Sequence, residues 1–336
     1  MERLSIAVEC ASDKKEVGGG DSFHVFDFFA DFGLHDFRIR QYFTAIDNLN
    51  SISAGPSMFQ LSVSQFCSYR WTFFQDAVRF SRRGIPAMGV WRRKLDEIGV
   101  DEAVDLLDEM RLAVSSLHWA GGFTGSQGVG HVDAIDDAIQ AVVNAHQLRA
   151  GCLVVHPGGR NGHTDRHARR LLDQALERLV PVALDFGVRL AIEPTLGLAA
   201  NPWSFITTFD EHLELISHYP IEALGLVLDL YHVGDRVGIL SRLPGLVDRI
   251  ALVQLADFRS RAPDEETRCG LGQGEVPIEA WLNGLDQAGY AGVMELELHG
   301  AEFDGQSCRE RLDASLDYLA SVPACAHTLE INPSRQ

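Results

Sequence analysis

The sequence predicts a (β/α)8 barrel of the TIM type with an aromatic-rich N-terminal extension. Three observations predict it. Eight short apolar, strand-like runs alternate with helical stretches over about 260 residues; such alternation demands a parallel sheet with helices packed outside it, and eight units of this length match the ~250 residues of a closed barrel. No Gly-x-Gly-x-x-Gly follows any of these runs, so the phosphate-binding signal of an open, doubly wound sheet is missing. Several runs also stop on oxygen-bearing side chains: Leu190-Ala-Ile-Glu193, Leu226-Val-Leu-Asp229, Ala251-Leu-Val-Gln254-Leu-Ala-Asp257 and Val293-Met-Glu-Leu-Glu297. In a barrel, the C-terminal ends of the strands are where chemistry is done.

Taken in chain order, Phe59–Ser64 alternates polar and apolar as a strand does, and Trp71–Arg83 reads as a helix closed by Gly84. Strands are expected at 85–91, 112–117, 152–156, 188–193, 224–229, 250–255 and 293–298. Helices are expected at 95–109, 132–148, 164–186, 209–219, within 239–246, at 278–288 and at 308–319. The barrel is thus a catalytic domain over residues 58–322, with a loose tail at 323–336. Residues 1–57 stand apart. They hold a Gly18-Gly-Gly20 break, then Phe23, Phe26, Phe28, Phe29, Phe32, Phe37, Tyr42 and Phe43, seven of the chain's 18 Phe. That many rings exclude a disordered tail. They fit either an extension packed on its own domain or a subunit interface.

Composition narrows the partners. Lys and Arg number 29 against 47 Asp and Glu, a formal net charge of −18. That surface repels phosphate backbones, so nucleic acid is excluded and a small polar substrate fits better. The basic runs Trp91-Arg-Arg-Lys94 and Arg166-His-Ala-Arg-Arg170 read as solvated helix starts or faces. The six cysteines form no Cys-x-x-Cys pair, as expected of reduced thiols in a cytoplasmic protein. The first residues are too short an apolar run for a signal peptide, and no run of about 18 apolar residues offers a membrane span.

The polar strand ends are His118, His156, Glu193, Asp229, Gln254 and Glu297, with His232, Asp257 and Arg259 just beyond. Residues two apart on a strand share a face, so an inward-facing Glu or Asp at these ends lies beneath the barrel mouth. A charge there needs a partner, because burying it alone is very costly. Taken singly, Glu193 could pair with an Arg and Asp229 could cap the next helix. Taken together, three carboxylates and an amide oxygen on separate strands form a hard donor set that suits Mg²⁺ or Mn²⁺ better than structural zinc. Glu295 shares the face of Glu297 one layer deeper and is the weaker ligand candidate.

From Phe59 to Gly300 the chain resembles the xylose-isomerase-like barrel family of sugar isomerases and epimerases. The phrases that carry the resemblance are Leu-Val-Val-His156-Pro-Gly, Leu-Ala-Ile-Glu193-Pro, Leu-Asp229-Leu-Tyr-His232, Val-Gln254-Leu-Ala-Asp257, Gly270-Leu-Gly-Gln-Gly-Glu275 and Gly289-Tyr-Ala-Gly-Val-Met-Glu-Leu-Glu297. The resemblance implies one divalent ion, Mn²⁺ first and Mg²⁺ or Co²⁺ as alternatives, on Glu193, Asp229, Gln254 and Glu297. It implies an acid/base pair in Glu193 and Glu297, with His156 beside the substrate in the catalytic set, and a metal-stabilised enediolate of a keto sugar. His118, His232, Asp257 and Arg259 are the expected substrate-binding residues. Many family members carry His where this chain has Gln254, and Gln there is similar to the hydroxypyruvate-isomerase and dehydroshikimate-dehydratase branches. A lyase that eliminates a β-substituent from a 3-keto sugar is therefore the alternative reaction. A homo-oligomer or a complex with a small partner subunit is the expected assembly.

Overall fold

A computed structural model of the chain describes residues 59–196, 203–262, 265–300, 303 and 307–323. The expectations for the aromatic extension and for the tail beyond 323 lie outside the described residues. Eight parallel strands close a barrel: β1 (Gln60–Ser64), β2 (Ala87–Trp91), β3 (Ala113–Gly121), β4 (Leu153–His156), β5 (Leu190–Ile192), β6 (Leu224–Asp229), β7 (Ile250–Leu255) and β10 (Val293–Leu296). The ring is closed by β10 against β1, from Gln60 opposite Val293 to Val63 opposite Leu296. Between β7 and β10 lies an antiparallel hairpin that the sequence does not announce, β8 (Asp257–Ala262) with β9 (Glu265–Cys269), outside the barrel wall.

Strand parity sets up the site. Cys152, Val154, Ala191, Val227 and Leu252 form a compact apolar cluster of their own. Each of the last four lies two residues before His156, Glu193, Asp229 or Gln254, so the apolar layer and the polar layer occupy the same inward face. The barrel is plugged below and polar above.

Outside the wall run α1 (Phe73–Arg82), α2 (Arg92–Ile98), α3 (Val100–Met110), α4 (His131–Gln147), α5 (Asp165–Asp185), α6 (Phe209–Ser217), α7 (Leu230–Val233), α8 (Ile278–Gln287) and α9 (Cys308–Ser321). Thr72 and Gln75 form a capping box at the start of α1, which satisfies two otherwise orphaned backbone donors. The single helix expected at 95–109 is two, because Gly99 at φ 85° leaves the helical region between α2 and α3. The helix expected within 239–246 is a 3-10 segment, Val237–Gly245, holding Pro244, which cannot donate to an α-helical ladder. β3 runs to Gly121, so His118 lies within a strand and not in the loop after it.

Lys94 was expected in solvent and is buried instead. The first turn of α2 folds over the 3-10 turn Gln65–Ser68 that succeeds β1. Lys94 Nζ donates to Asp76 Oδ2 at 2.6 Å and to the Ser68 carbonyl at 2.9 Å. Gln65 Nε2 and Ser68 Oγ also donate to Asp76, at 3.0 and 2.7 Å, and Gln65 Oε1 accepts from Trp91 N. Burial pushes Asp76 up to about 6 and lowers Lys94, so desolvation outweighs their attraction on both sides. Arg311 Nη2 ties down the Cys67 carbonyl at 2.6 Å, and Cys67 Sγ accepts from Leu298 N at 3.0 Å. The turn is thereby fastened to α1, α2, α9 and the segment after β10, and it holds Phe66 at the barrel mouth.

Removing one partner of a buried pair strands the other charge. Lys94→Met should lower the unfolding free energy by about 3 kcal/mol, and Asp76→Asn combined with Lys94→Met should recover much of that loss. Urea unfolding of the three proteins measures both.

Candidate active site and metal centre

The structure gathers the polar strand ends into one buried cluster. Glu193 follows β5, Asp229 ends β6, Gln254 lies in β7 and Glu297 follows β10; all four are buried, as are His118, His156 and His232. Glu193 lies between two imidazoles, with His156 Nε2 at 3.5 Å from Oε2 and His232 Nε2 at 3.7 Å from Oε1. His232 Nε2 is also 3.6 Å from Asp229 Oδ2. Asp229 Oδ1 accepts from Tyr231 N at 2.8 Å, so this residue caps α7 with one oxygen and faces the site with the other. On the opposite side, Gln254 Nε2 donates to Glu297 Oε2 at 2.5 Å, while His299 Nε2 stands 3.2 Å from Glu297 Oε1. Glu193, Asp229 and His232 can bring one ligand atom each within 4.8 Å of one another, and so can His118, Glu295 and Glu297.

The buried charges act on one another. Glu193 is pushed well above the usual carboxylate range, first by burial and then by the charges of Asp229 and Glu297. Burial pushes Glu297 in the same direction, but the hydrogen bond from His299 and the charges of His118, His299 and Arg268 outweigh it and hold this carboxyl below its usual range. Burial and the charge of His118 bring His156 down to about 3, which makes it a neutral imidazole. Its Nδ1 is buried with no hydrogen-bond partner among the described residues. For His118, burial acts downward, and the hydrogen bond and charge of Glu295, then Glu297 and Glu193, lift it to about 9.

Gln254 Oε1 is buried and accepts no hydrogen bond among the described residues. Leaving an amide oxygen so costs about 1–3 kcal/mol. Beside three carboxylates that repel one another, it is the donor set that a divalent cation would satisfy.

Two expected substrate-binding residues stand apart from this cluster. Asp257 is buried and its carboxylate accepts from Phe258 N at 2.8 Å, Gly274 N at 2.9 Å and Val276 N at 3.1 Å. It clasps the Gly270–Glu275 loop to the hairpin, and a Cβ at Gly274 would collide with the Asp257 carboxylate. Arg259 is exposed on β8.

Sequence reasoning missed Arg268, the aromatic walls and His299. Arg268 on β9 stacks its guanidinium 3.6 Å over the Tyr231 ring, and Tyr231 meets His232 edge-on at 5.2 Å. Trp119 packs at 5.6 Å from His156 and 5.0 Å from Trp203. Facing them, Phe66 lies 5.4 Å from both His118 and His299. His299 continues the 295, 297 alternation and could have been found by extending it.

A xylose isomerase-like TIM barrel family model matches residues 76–322, and the chain belongs to that family. It is similar to an inosose isomerase of Halalkalibacterium halodurans, 25% identical over 168 residues that make up 48% of this chain and 57% of the relative. It is also similar to a 3-dehydroshikimate dehydratase of Pseudomonas putida, 30% identical over 125 residues, 34% of this chain and 19% of that one. The chain thus spans little more than half the length of the inosose isomerase it matches. The crystal structure of an IolI protein with a bound zinc atom shares the fold, with a TM-score of 0.68 at 16% identity over 81% of this chain and all of that one.

His118 binds its proton more tightly folded than unfolded. Its contribution to stability is present in full below pH 6.5 and is lost as pH rises through about 9. Urea unfolding of the metal-free protein should therefore show stability falling more steeply across that window than in His118→Asn, by up to about 1.4 kcal/mol per pH unit, the slope set by one proton.

Proposed function

We propose that the barrel, residues 58–322, is a divalent-metal-dependent isomerase or epimerase that moves a proton next to the carbonyl of a keto sugar. One observation carries the reading: Glu193, Asp229, Gln254 and Glu297, from four different strands, bury three repelling carboxylates beside an amide oxygen that accepts no hydrogen bond. These four residues would hold the ion. When bound, it supplies a Lewis acid that stabilises negative charge developing on the substrate's oxygens. The all-oxygen set favours Mn²⁺, with Mg²⁺ and Co²⁺ as alternatives; zinc enters the test because the IolI structure carries it.

The chain's own groups do the rest. Before an ion binds, Glu193 is pushed up and Glu297 down, so the two carboxyls are inequivalent, and we assign this pair the taking and returning of the proton. His156, neutral, has its Nδ1 available to a substrate oxygen, and His232 stands on the other side of Glu193. Trp119, Trp203 and Phe66 make the flanks apolar, which keeps water from the carbanion and suits the C–H face of a sugar ring.

A lyase is the second reading, because the 30% identical relative is a dehydratase. The same abstraction followed by loss of a β-substituent gives dehydration or release of an aglycone.

A panel of inososes, free ketoses and 3-keto glycosides incubated in D₂O with Mn²⁺, Mg²⁺, Co²⁺ or Zn²⁺ and followed by NMR separates the two. Deuterium at one carbon with the skeleton intact is the expected result; released water or aglycone selects the lyase. Excess chelator should abolish exchange, and full activity under chelation would overturn the metal reading. Glu193→Gln should slow exchange by about 10²-fold or more. Asp229→Ala combined with Glu297→Ala should leave no bound metal.

A further inference from the structure

Glu295 is a buried carboxylate that the proposed chemistry leaves unused. It has no solvent exposure and lies one layer below Glu297 on β10. Ser115 Oγ donates to its Oε2 at 2.5 Å and Ser116 Oγ to the same oxygen at 2.7 Å. Ser62 Oγ lies 2.6 Å from Ser115 Oγ and carries the network to β1. From β2 comes Gly89, where a Cβ would run into the Glu295 carboxylate. The neighbouring strands β1, β2 and β3 thus provide hydroxyls or empty room for this one group. An apolar side chain would fill a barrel interior at lower cost, as Val154, Val227 and Leu252 do elsewhere in the same barrel. The compensation has to lie in what Glu295 holds. Of its partners, His118 also reaches the site: its Nε2 is 3.1 Å from Glu295 Oε1 and 4.0 Å from Glu297 Oε2.

We propose that Glu295 is a positioning residue that keeps His118 out of the metal's ligand set and makes it a hydrogen-bond donor beside Glu297. An imidazole nitrogen either carries a proton and donates or offers its lone pair to a metal; it cannot do both. With Nε2–H committed to Glu295, the nitrogen nearest Glu297 is closed to coordination. Phe66 packs edge-on against the ring at 5.4 Å and opposes its rotation. The trio His118, Glu295 and Glu297, though its donor atoms fall within 4.8 Å, is then a dyad next to one ligand and not a second metal site. The inference rests on the reading of Glu297 as ligand and proton carrier.

Two measurements on the unaltered protein test it without turnover. Metal analysis after loading with excess Mn²⁺ should find about one ion per chain, and ¹⁵N NMR of the imidazoles in the diamagnetic Mg²⁺ form should show His118 Nε2 protonated. Two ions per chain, or an unprotonated Nε2, overturns the proposal. In variants, Glu295→Gln keeps the side-chain size and should lower kcat by about 10–100-fold with KM within about twofold, the range for loss of a group that orients a catalytic neighbour. In a His118→Asn background the same substitution should change kcat by less than about twofold, because Glu295 acts through His118. Undiminished loss in that background, or loss matched by a collapse of the urea midpoint, would mean a structural role only. A wild-type protein with one ion and Nε2–H, yet inert toward every keto sugar, would refute the functional reading and leave the dyad standing.

Discussion

The structure is organised around the repulsion among Glu193, Asp229 and Glu297. Each ends or succeeds a barrel strand, each is buried, and the charges of Asp229 and Glu297 drive Glu193 toward its protonated form. Such a cluster raises the free energy of the fold unless something positive sits among them. The chain brings in the charges of Arg268 and His118 near Glu297, and His299 adds a hydrogen bond to it. Glu193 has His156 and His232 at 3.5 and 3.7 Å, too far for strong hydrogen bonds. Positive charge is thus concentrated on one side of the site, and the other side is where a cation is most needed.

Holding this arrangement requires rigid supports away from it. Phe66 reaches the mouth on a turn that is pinned by the Lys94–Asp76 pair, by Arg311 and by Cys67. Arg268 arrives on a hairpin whose base is locked by Asp257 through three backbone amides. Both supports place polar or charged groups in the interior, where they contribute little net stability but fix geometry through directional bonds. They are the means by which side chains far apart in sequence meet around the site: Phe66 against His118 and His299, Arg268 over Tyr231.

Period and spacing made part of this legible in the sequence. The alternation of residues 191 with 193, 227 with 229 and 295 with 297 put these side chains on one inward face, and the structure buries them there, since a parallel barrel repeats that geometry strand after strand. The helix end at Gly84 was marked by its residue type, whereas the start expected at Trp71 falls one residue before the Thr72 cap. Lys94 was misjudged because a charge at the start of a polar helix is usually solvated, and only the neighbouring turn reveals that it is covered. Arg268 was passed over in favour of Arg259 because hairpin β8–β9 lacks an apolar alternation to announce it; Arg268 lies on β9 opposite Phe258, and Arg259 at the register shift of β8. Asp257 lay on the same strand-end phrase as Gln254, yet its oxygens are occupied by the Gly270–Glu275 loop and its neighbours.

His299, His118 and Arg268 set the asymmetry between the two glutamates, and Gln254 adds a further donor on the Glu297 side. An imidazole at this position would offer one nitrogen to an ion; the amide offers an oxygen and, in addition, an N–H that grips Glu297 Oε2 at 2.5 Å. With His299 against the other oxygen, Glu297 is held at both ends by donors, which favours the carboxylate over the acid. Glu193 has no such grip and faces two like charges. One amide therefore does two things at once: it leaves an oxygen open for a cation and biases the neighbouring glutamate toward the form that accepts a proton. Glu193, His156 and His232 form a separate group of their own. On the proposed reading, an isomerase and a lyase would differ in which of these three groups reaches the departing atom.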